Sequence, residues 1–237
     1  TNDRLEIRDF SGRAGDGTVQ ASGNVGLAAD SGFPMAISAK LDRARLARSE
    51  AITSVVSGTV DITNSPANGG LIKGDLWLPE TRYKIAWQGG SDIRVLQGVR
   101  RKSDASELLD QRQAARSAAK PALWKLDIRV RADNEIYLTG MGLDSEWKTD
   151  MRVTGTTAAP RATGRIEVIR GRYSFSGHQF EVEQGVITFN GPMMNPGLAI
   201  RAVTRVDDVS AGIAVGGTAQ RPDITFVSTP ALPQDEI

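Results

Sequence analysis

Apolar and polar residues alternate along most of this chain with a period of two. From Trp124 through Lys125, Leu126, Asp127, Ile128, Arg129, Val130 and Arg131 to Ala132, every even position is apolar and every odd one charged. Trp147, Met151 and Val153 alternate with Glu146, Lys148, Asp150 and Arg152. The same alternation runs through Val19-Ala21-Gly23-Val25-Leu27, Met35-Ile37-Ala39-Leu41, Tyr83-Ile85-Trp87 and Ile213-Val215. Successive side chains on a strand point to opposite faces, so these runs predict strands with one wet and one dry face. About 14 such runs can be counted, at roughly the 8–12-residue spacing of meandering all-β folds. Gly and Pro punctuate most gaps, as at Gly15, Pro34, Pro66, Gly69-Gly70, Pro160, Gly191-Pro192 and Pro222. A local pattern of Gly, any residue, apolar, any residue, apolar recurs from Gly23, Gly58, Gly74 and Gly164. Its irregular spacing predicts strands added one after another, not a fixed-period solenoid.

One segment departs from the rule. Ser103 to Lys120 reads SDASELLDQRQAARSAAK and is closed by Pro121. Asp104 with Glu107 resembles a capping box, and helix formers follow, so the segment reads as a short helix or a polar loop. It divides the chain into N-terminal strands (1–98), an insertion (99–121) and a C-terminal region (122–237). The chain begins at Thr1 and stops at Ile237, which reads as a fragment of something longer.

Composition narrows the function. Lys+Arg 29 against Asp+Glu 28 leaves a net charge of +1. That lacks the basic excess of a general nucleic-acid binder, so no nucleic-acid partner is expected. With no Cys there are no disulfides, thiol nucleophiles or Cys metal sites. The single His, His178, lies on a turn and has no second His to complete a metal site. Glu181 and Glu183 alternate with Phe180 and Val182, which makes them the solvent face of a strand. Gly140-Met141-Gly142 lacks the third Gly and the helix of a dinucleotide loop. No nucleophile elbow or His-based triad is present. The expectation is a protein that is not an enzyme and needs neither cofactor nor metal.

A sheet with one apolar face must cover it. A second sheet, as in a sandwich or closed barrel, is one answer. A sheet curled on itself around a ligand groove is the other. Aromatic residues make up only 5 % of the chain. Many dry-face positions are slim, among them Ala21, Gly23, Val25, Ala39, Ala132 and Val215, which leaves room inside a groove.

From Trp124 onward an ordered set of motifs carries a family resemblance. Ile136-Tyr137-Leu138-Thr139-Gly140-Met141-Gly142-Leu143 is followed by Val153-Thr154-Gly155-Thr156. Gly164-Arg165-Ile166-Glu167-Val168-Ile169-Arg170-Gly171-Arg172-Tyr173-Ser174-Phe175 comes next, then Gly185-Val186-Ile187-Thr188-Phe189-Asn190-Gly191 and Asn195-Pro196-Gly197-Leu198. Val215-Gly216-Gly217-Thr218-Ala219 and Ser228-Thr229-Pro230-Ala231-Leu232-Pro233-Gln234-Asp235-Glu236-Ile237 close the set. Together they resemble the C-terminal domain of the TamB family, part of the AsmA-like group of large periplasmic proteins of Gram-negative bacteria. The N-terminal half is similar only through its Gly-x-apolar-x-apolar strands. The family's short apolar C-terminal tail and its N-terminal inner-membrane anchor have no counterpart in this sequence.

The resemblance implies an all-β fold, an elongated sheet curled lengthwise into a β-taco with an apolar concave groove. It implies a periplasmic segment of an inner-to-outer-membrane bridge that shelters phospholipid. It also implies a partnership with TamA, a BamA-type outer-membrane barrel, at the C-terminal end, and unfolded outer-membrane proteins as clients. The alternatives are a scaffold for β-barrel assembly and an adhesin-like structural β protein with a filled interior. Elementary physics suits the lipid reading. A strand of about 6–8 residues is roughly 20–27 Å long, and a leaflet's hydrocarbon is about 15 Å deep. Each methylene kept from water contributes about 0.8 kcal/mol without fixing direction, so a lipid held this way can slide. About 14 strands would make a trough near 65 Å long. Strand parity assigns Trp124, Leu126, Ile128, Val130, Ile166, Val168, Phe175, Phe180, Val182, Phe189, Ile200 and Val215 to the lipid-binding groove. Near Arg170-Gly171 the parity must reset through a bulge, because Ile169, Tyr173 and Phe175 are out of phase with Ile166 and Val168.

Overall fold

The computed structural model describes residues 4–27, 32–85, 123–175, 177–206 and 208–230. These form a single 12-stranded sheet whose spatial order is the chain order. The strands are β1 (Arg4–Ala14), β2 (Gly17–Gly26), β3 (Met35–Arg48), β4 (Ile52–Ser65), β5 (Gly69–Lys84) and β6 (Lys125–Gly140). They continue as β7 (Leu143–Thr156), β8 (Pro160–Phe175), β9 (His178–Pro192), β10 (Gly197–Val206), β11 (Val209–Thr218) and β12 (Arg221–Thr229). Neighbours pair antiparallel except β5 and β6, which run parallel with Ile72 beside Leu126 and Leu76 beside Val130. The expected helix or polar loop at 103–120, within the 99–121 insertion, lies outside the described residues. The all-β expectation holds throughout the rest.

The strands are longer than the 6–8 residues read from the sequence. β5, β6 and β8 each have 16 residues. The reason is a set of β-bulges that reset the alternation within a strand, so that one strand reads as two short runs. The register shifts fall at Leu41/Ala44 in β3, opposite Val55/Ser57 in β5, opposite Trp77/Thr81 and at Ala132/Ile136 in β6, opposite Glu146/Trp147 in β8 and opposite Arg201/Ala202 in β9. Each neighbours the next in register, so they form one line across the sheet. A bulge bends its strand and raises its twist. In line, the bulges make a crease about which the sheet curls.

The buried residues sit along that crease. One cluster is Leu41, Ala44 and Val56, with Val19, Val60, Leu76 and Leu78 packed against it. A second is Ala132, Ile136 and Trp147, with Leu78, Leu138, Ile166, Val168, Ile187 and Ile200 around it. Leu78 belongs to both, so the core is a continuous seam in the inner corner of the curl. Away from it no second layer packs on the sheet among the described residues, and large apolar side chains such as Phe10, Phe175 and Ile224 stay about half exposed.

The glycine motif has a backbone reason. Gly23, Gly58 and Gly164 have φ of +150°, +133° and +131°. L-residues avoid this region, and a Cβ on Gly164 would collide with the carbonyl oxygen of Asp150 on the neighbouring strand. These glycines let adjacent strands approach closely.

Candidate functional site: an apolar sheet face

Following the register from strand to strand assembles one face of the sheet. One row runs Ile7, Gly23, Ile37, Ile62, Ile72, Leu126, Gly155. The next runs Phe10, Ala21, Ala39, Val60, Gly74, Ile128, Val153, Ala162. A third runs Val19, Leu41, Gly58, Leu76, Val130, Met151, Gly164, Phe189. Directly opposed side chains on paired strands lie on the same face, so each row is a band of hydrocarbon crossing the sheet. Glycine and alanine are interspersed among the larger residues of these bands, which lowers the surface locally.

Every residue assigned to the groove from sequence lies on this face. Leu126, Ile128 and Val130 occupy the rows above. Ile166 pairs with Ile187, and Val168 with Trp147. Phe180 pairs with Tyr173, Val182 with Ala202, and Ile200 with both Gly185 and Val215. Trp124, just before β6, lies against Gly70, where any Cβ would strike its indole. Phase is restored as the sequence requires: Trp147 opposes Val168 while Glu146 opposes Arg170, so Ile169 is the extra residue. A second reset falls at Glu183, because Arg201 pairs with Gln184 and Ala202 with Val182. The sequence reading did not anticipate it, since alternation alone does not distinguish a bulge from a new strand.

Beyond the crease the face deepens into an apolar cavity of about 430 Å³. Its walls are Ile85, Met141, Leu143, Tyr173, Phe175 and Val182 on one side, and Ile200, Ala202, Ile213, Val215, Ile224 and Phe226 on the other. Tyr173 stacks on Phe175 with ring centroids 6.1 Å apart and tilts against Phe180 at 6.3 Å. Sequence parity put Phe175, Val182, Ile200 and Val215 here but omitted Tyr173, Ile213, Ile224 and Phe226. The signal was available in Tyr173, which shares the phase of Phe175, and in Ile224 and Phe226, which alternate with Asp223 and Thr225. Trp147, also omitted, fills the crease at 2 % exposure, its Nε1–H donating to Ser145 Oγ at 2.8 Å.

The opposite face is a ladder of ion pairs. Arg129 binds Asp150 through both carboxylate oxygens at 3.1 and 2.8 Å. Arg152 donates to Asp127 at 2.7 Å, and Arg131 to Asp75 at 2.7 Å. Hydrogen bonds from the two arginines hold the Asp127 and Asp150 carboxyls below the usual carboxylate range, and the arginine partners are raised in turn. The Glu146 carboxylate is nearly buried; it accepts from Arg170 Nε at 2.6 Å and from the Glu135 amide at 3.3 Å, where Glu135 has φ +64° in the β6 bulge. One carboxylate thus joins the bulge of β6 to Arg170, the residue after the extra one of β8.

Among the described residues there is no cluster of three or more His, Cys, Asp and Glu that could hold a metal ion. His178 pairs with Phe175 at the exposed β8–β9 turn. No helix among the described residues is long and apolar enough to cross a membrane.

The family model of the TamB C-terminal domain matches residues 4–237. The translocation and assembly module subunit TamB of Haemophilus influenzae is 27 % identical over 186 residues, which is 76 % of this chain and 13 % of that protein. The match extends through the N-terminal strands, where the sequence showed a likeness of style alone, and covers nearly the whole length: the chain belongs to the TamB C-terminal domain family.

Proposed function

We propose that this chain is a periplasmic segment of an inner-to-outer-membrane bridge, and that its apolar face shelters phospholipid acyl chains. The observation that carries the reading is the apolar face itself, which no second layer covers among the described residues. Rows of apolar residues cross β1–β8 and continue into a cavity that residues of β7–β12 help to line. A monomeric protein rarely leaves so much contiguous apolar surface in water. An acyl chain laid along the face gains about 0.8 kcal/mol per methylene removed from water, and no directional bond opposes sliding. Trp124, Leu126, Ile128, Val130, Ile166, Val168, Phe175, Phe180, Val182, Phe189, Ile200 and Val215 are the proposed lining.

In the same reading the longer protein is anchored in the inner membrane and meets a TamA-type barrel at the β12 end of the sheet. A second reading, a scaffold for outer-membrane β-barrel assembly, is favoured by one observation. β12 is an edge strand whose apolar residues Ile224 and Phe226 are 59 % and 51 % exposed, as an added client strand would require. Organic extraction of the purified protein separates the two. Co-purifying phospholipid supports the conduit; an extract free of lipid, with protection of a nascent barrel peptide by the β12 edge, supports the scaffold and contradicts the conduit.

A further inference from the structure

The β4–β5 hairpin closes on Ser65-Pro66-Ala67-Asn68-Gly69. Pro66, Ala67, Asn68 and Gly69 are exposed, and the Asn68 backbone N–H donates to Ser65 Oγ at 3.2 Å. Gly69 has φ +70°, the left-handed glycine of a short hairpin loop, and nothing lies within 4 Å of the place a Cβ would take. An asparagine followed by glycine is chemically the least protected amide in a chain, because the glycine nitrogen meets no side chain when it turns on the asparagine carboxamide. A second such pair, Asn190-Gly191, lies inside β9, held in register by Thr163 and Ala162 of β8. The two pairs share their chemistry and differ in their backbone freedom.

The turn has a further neighbour. Lys125 Nζ, at the start of β6, lies 3.5 Å from the main-chain carbonyl oxygen of Asn68. We propose that Asn68-Gly69 is a site of spontaneous deamidation, and that Lys125 directs its outcome toward isoaspartate. The Gly69 nitrogen attacks Cγ of Asn68, the C–N bond to the side-chain amide breaks, and ammonia leaves, forming a succinimide. Water then opens the ring at one of its two carbonyls. Attack at Cγ restores the main chain and leaves aspartate. Attack at the α-carbonyl breaks the bond from that carbon to the Gly69 nitrogen, so the chain passes through Cγ and the α-carboxylate is set free. That α-carbonyl is the one Lys125 faces. Its ammonium polarises the carbonyl toward water, then pairs with the carboxylate that results. A neutral contact between the β4–β5 turn and β6 becomes an ion pair, at the junction where the sheet's parallel strands meet.

The test is an incubation of the folded chain at mildly alkaline pH, read by peptide mapping for the mass of an amide-to-acid conversion and by enzymatic labelling of isoaspartate. Asn68 is expected to convert while Asn190 remains an amide, and unfolding in urea is expected to bring the two rates together. Lys125→Met is expected to lower the isoaspartate-to-aspartate ratio at Asn68 in the folded protein and to leave it unchanged in urea, with Lys125→Arg keeping the folded ratio. Asn190 converting as fast as Asn68 in the folded chain would overturn the site. A folded-state ratio indifferent to Lys125→Met would overturn the role of the lysine.

Discussion

Trp147, Gly164 and the Asp127–Asp150 ladder each place a specific demand on the sheet. Trp147 is the bulkiest member of the crease, packed on Val168 and Gly185 with its indole N–H satisfied by Ser145. Truncation to Ala empties that corner and leaves Ser145 without its donor, so Trp147→Ala should cost about 3–5 kcal/mol in a urea melt. Gly164→Ala should cost about 1–3 kcal/mol, because φ +131° is strained for alanine and the new Cβ meets Asp150's carbonyl. Gly216→Ala, where nothing lies within 4 Å, is the control and should be near neutral. The carboxyls give a pH test. Asp127 and Asp150 have folded pKa values below their unfolded ones, of about 3.9. Their contribution is therefore fully present above about pH 5 and is lost as the pH falls through the unfolded and then the folded value. Asp127→Asn and Asp150→Asn should flatten the acid limb of a stability-versus-pH curve and leave its neutral plateau without slope. An acid limb as steep in the double variant as in the parent would show that the pairs do not form in solution.

At the scale of elements, the crease decides how much was legible. Alternation located the strands and their dry faces because each strand has one wet side, and every side chain assigned inward from Trp124 to Val215 lies on the same face. Strand lengths were not legible. A bulge leaves the same trace as a short gap, so β6 and β8 each read as two runs. The parallel pairing of β5 with β6 left no trace either, since parallel and antiparallel neighbours impose the same alternation on a half-exposed sheet. Trp147 was visible as an apolar position but not as the crease, because its burial depends on Leu78 and Ile200 from strands far away in sequence. Glu146 tests the crease itself. Glu146→Ala leaves the Glu135 amide without its acceptor and frees Arg170, and should destabilise by about 1–3 kcal/mol. Glu146→Gln keeps an acceptor for that amide and should lose less. If the two variants lose equally, the carboxylate does not secure the bulge.

At the scale of the whole sheet, the decisive property is that no second layer covers the dry face among the described residues. In a filled sandwich, a charge on that face is buried without a partner and costs several kcal/mol. On an open face water reaches the charge, so Ile128→Asp should fold with a modest loss of melting temperature while interrupting the path of an acyl chain, whereas Val168→Arg, set against Trp147 in the crease, should lose more. The measurement that tests this most directly is site-specific photo-crosslinking in cells, with the probe placed in turn at Val168 and Phe189 on the apolar face and at Glu167 and Glu181 on the charged one. Phospholipid adducts from Val168 and Phe189, with none from Glu167 or Glu181, are the predicted result. Equal adducts from both faces, or lipid adducts from neither, would contradict the account.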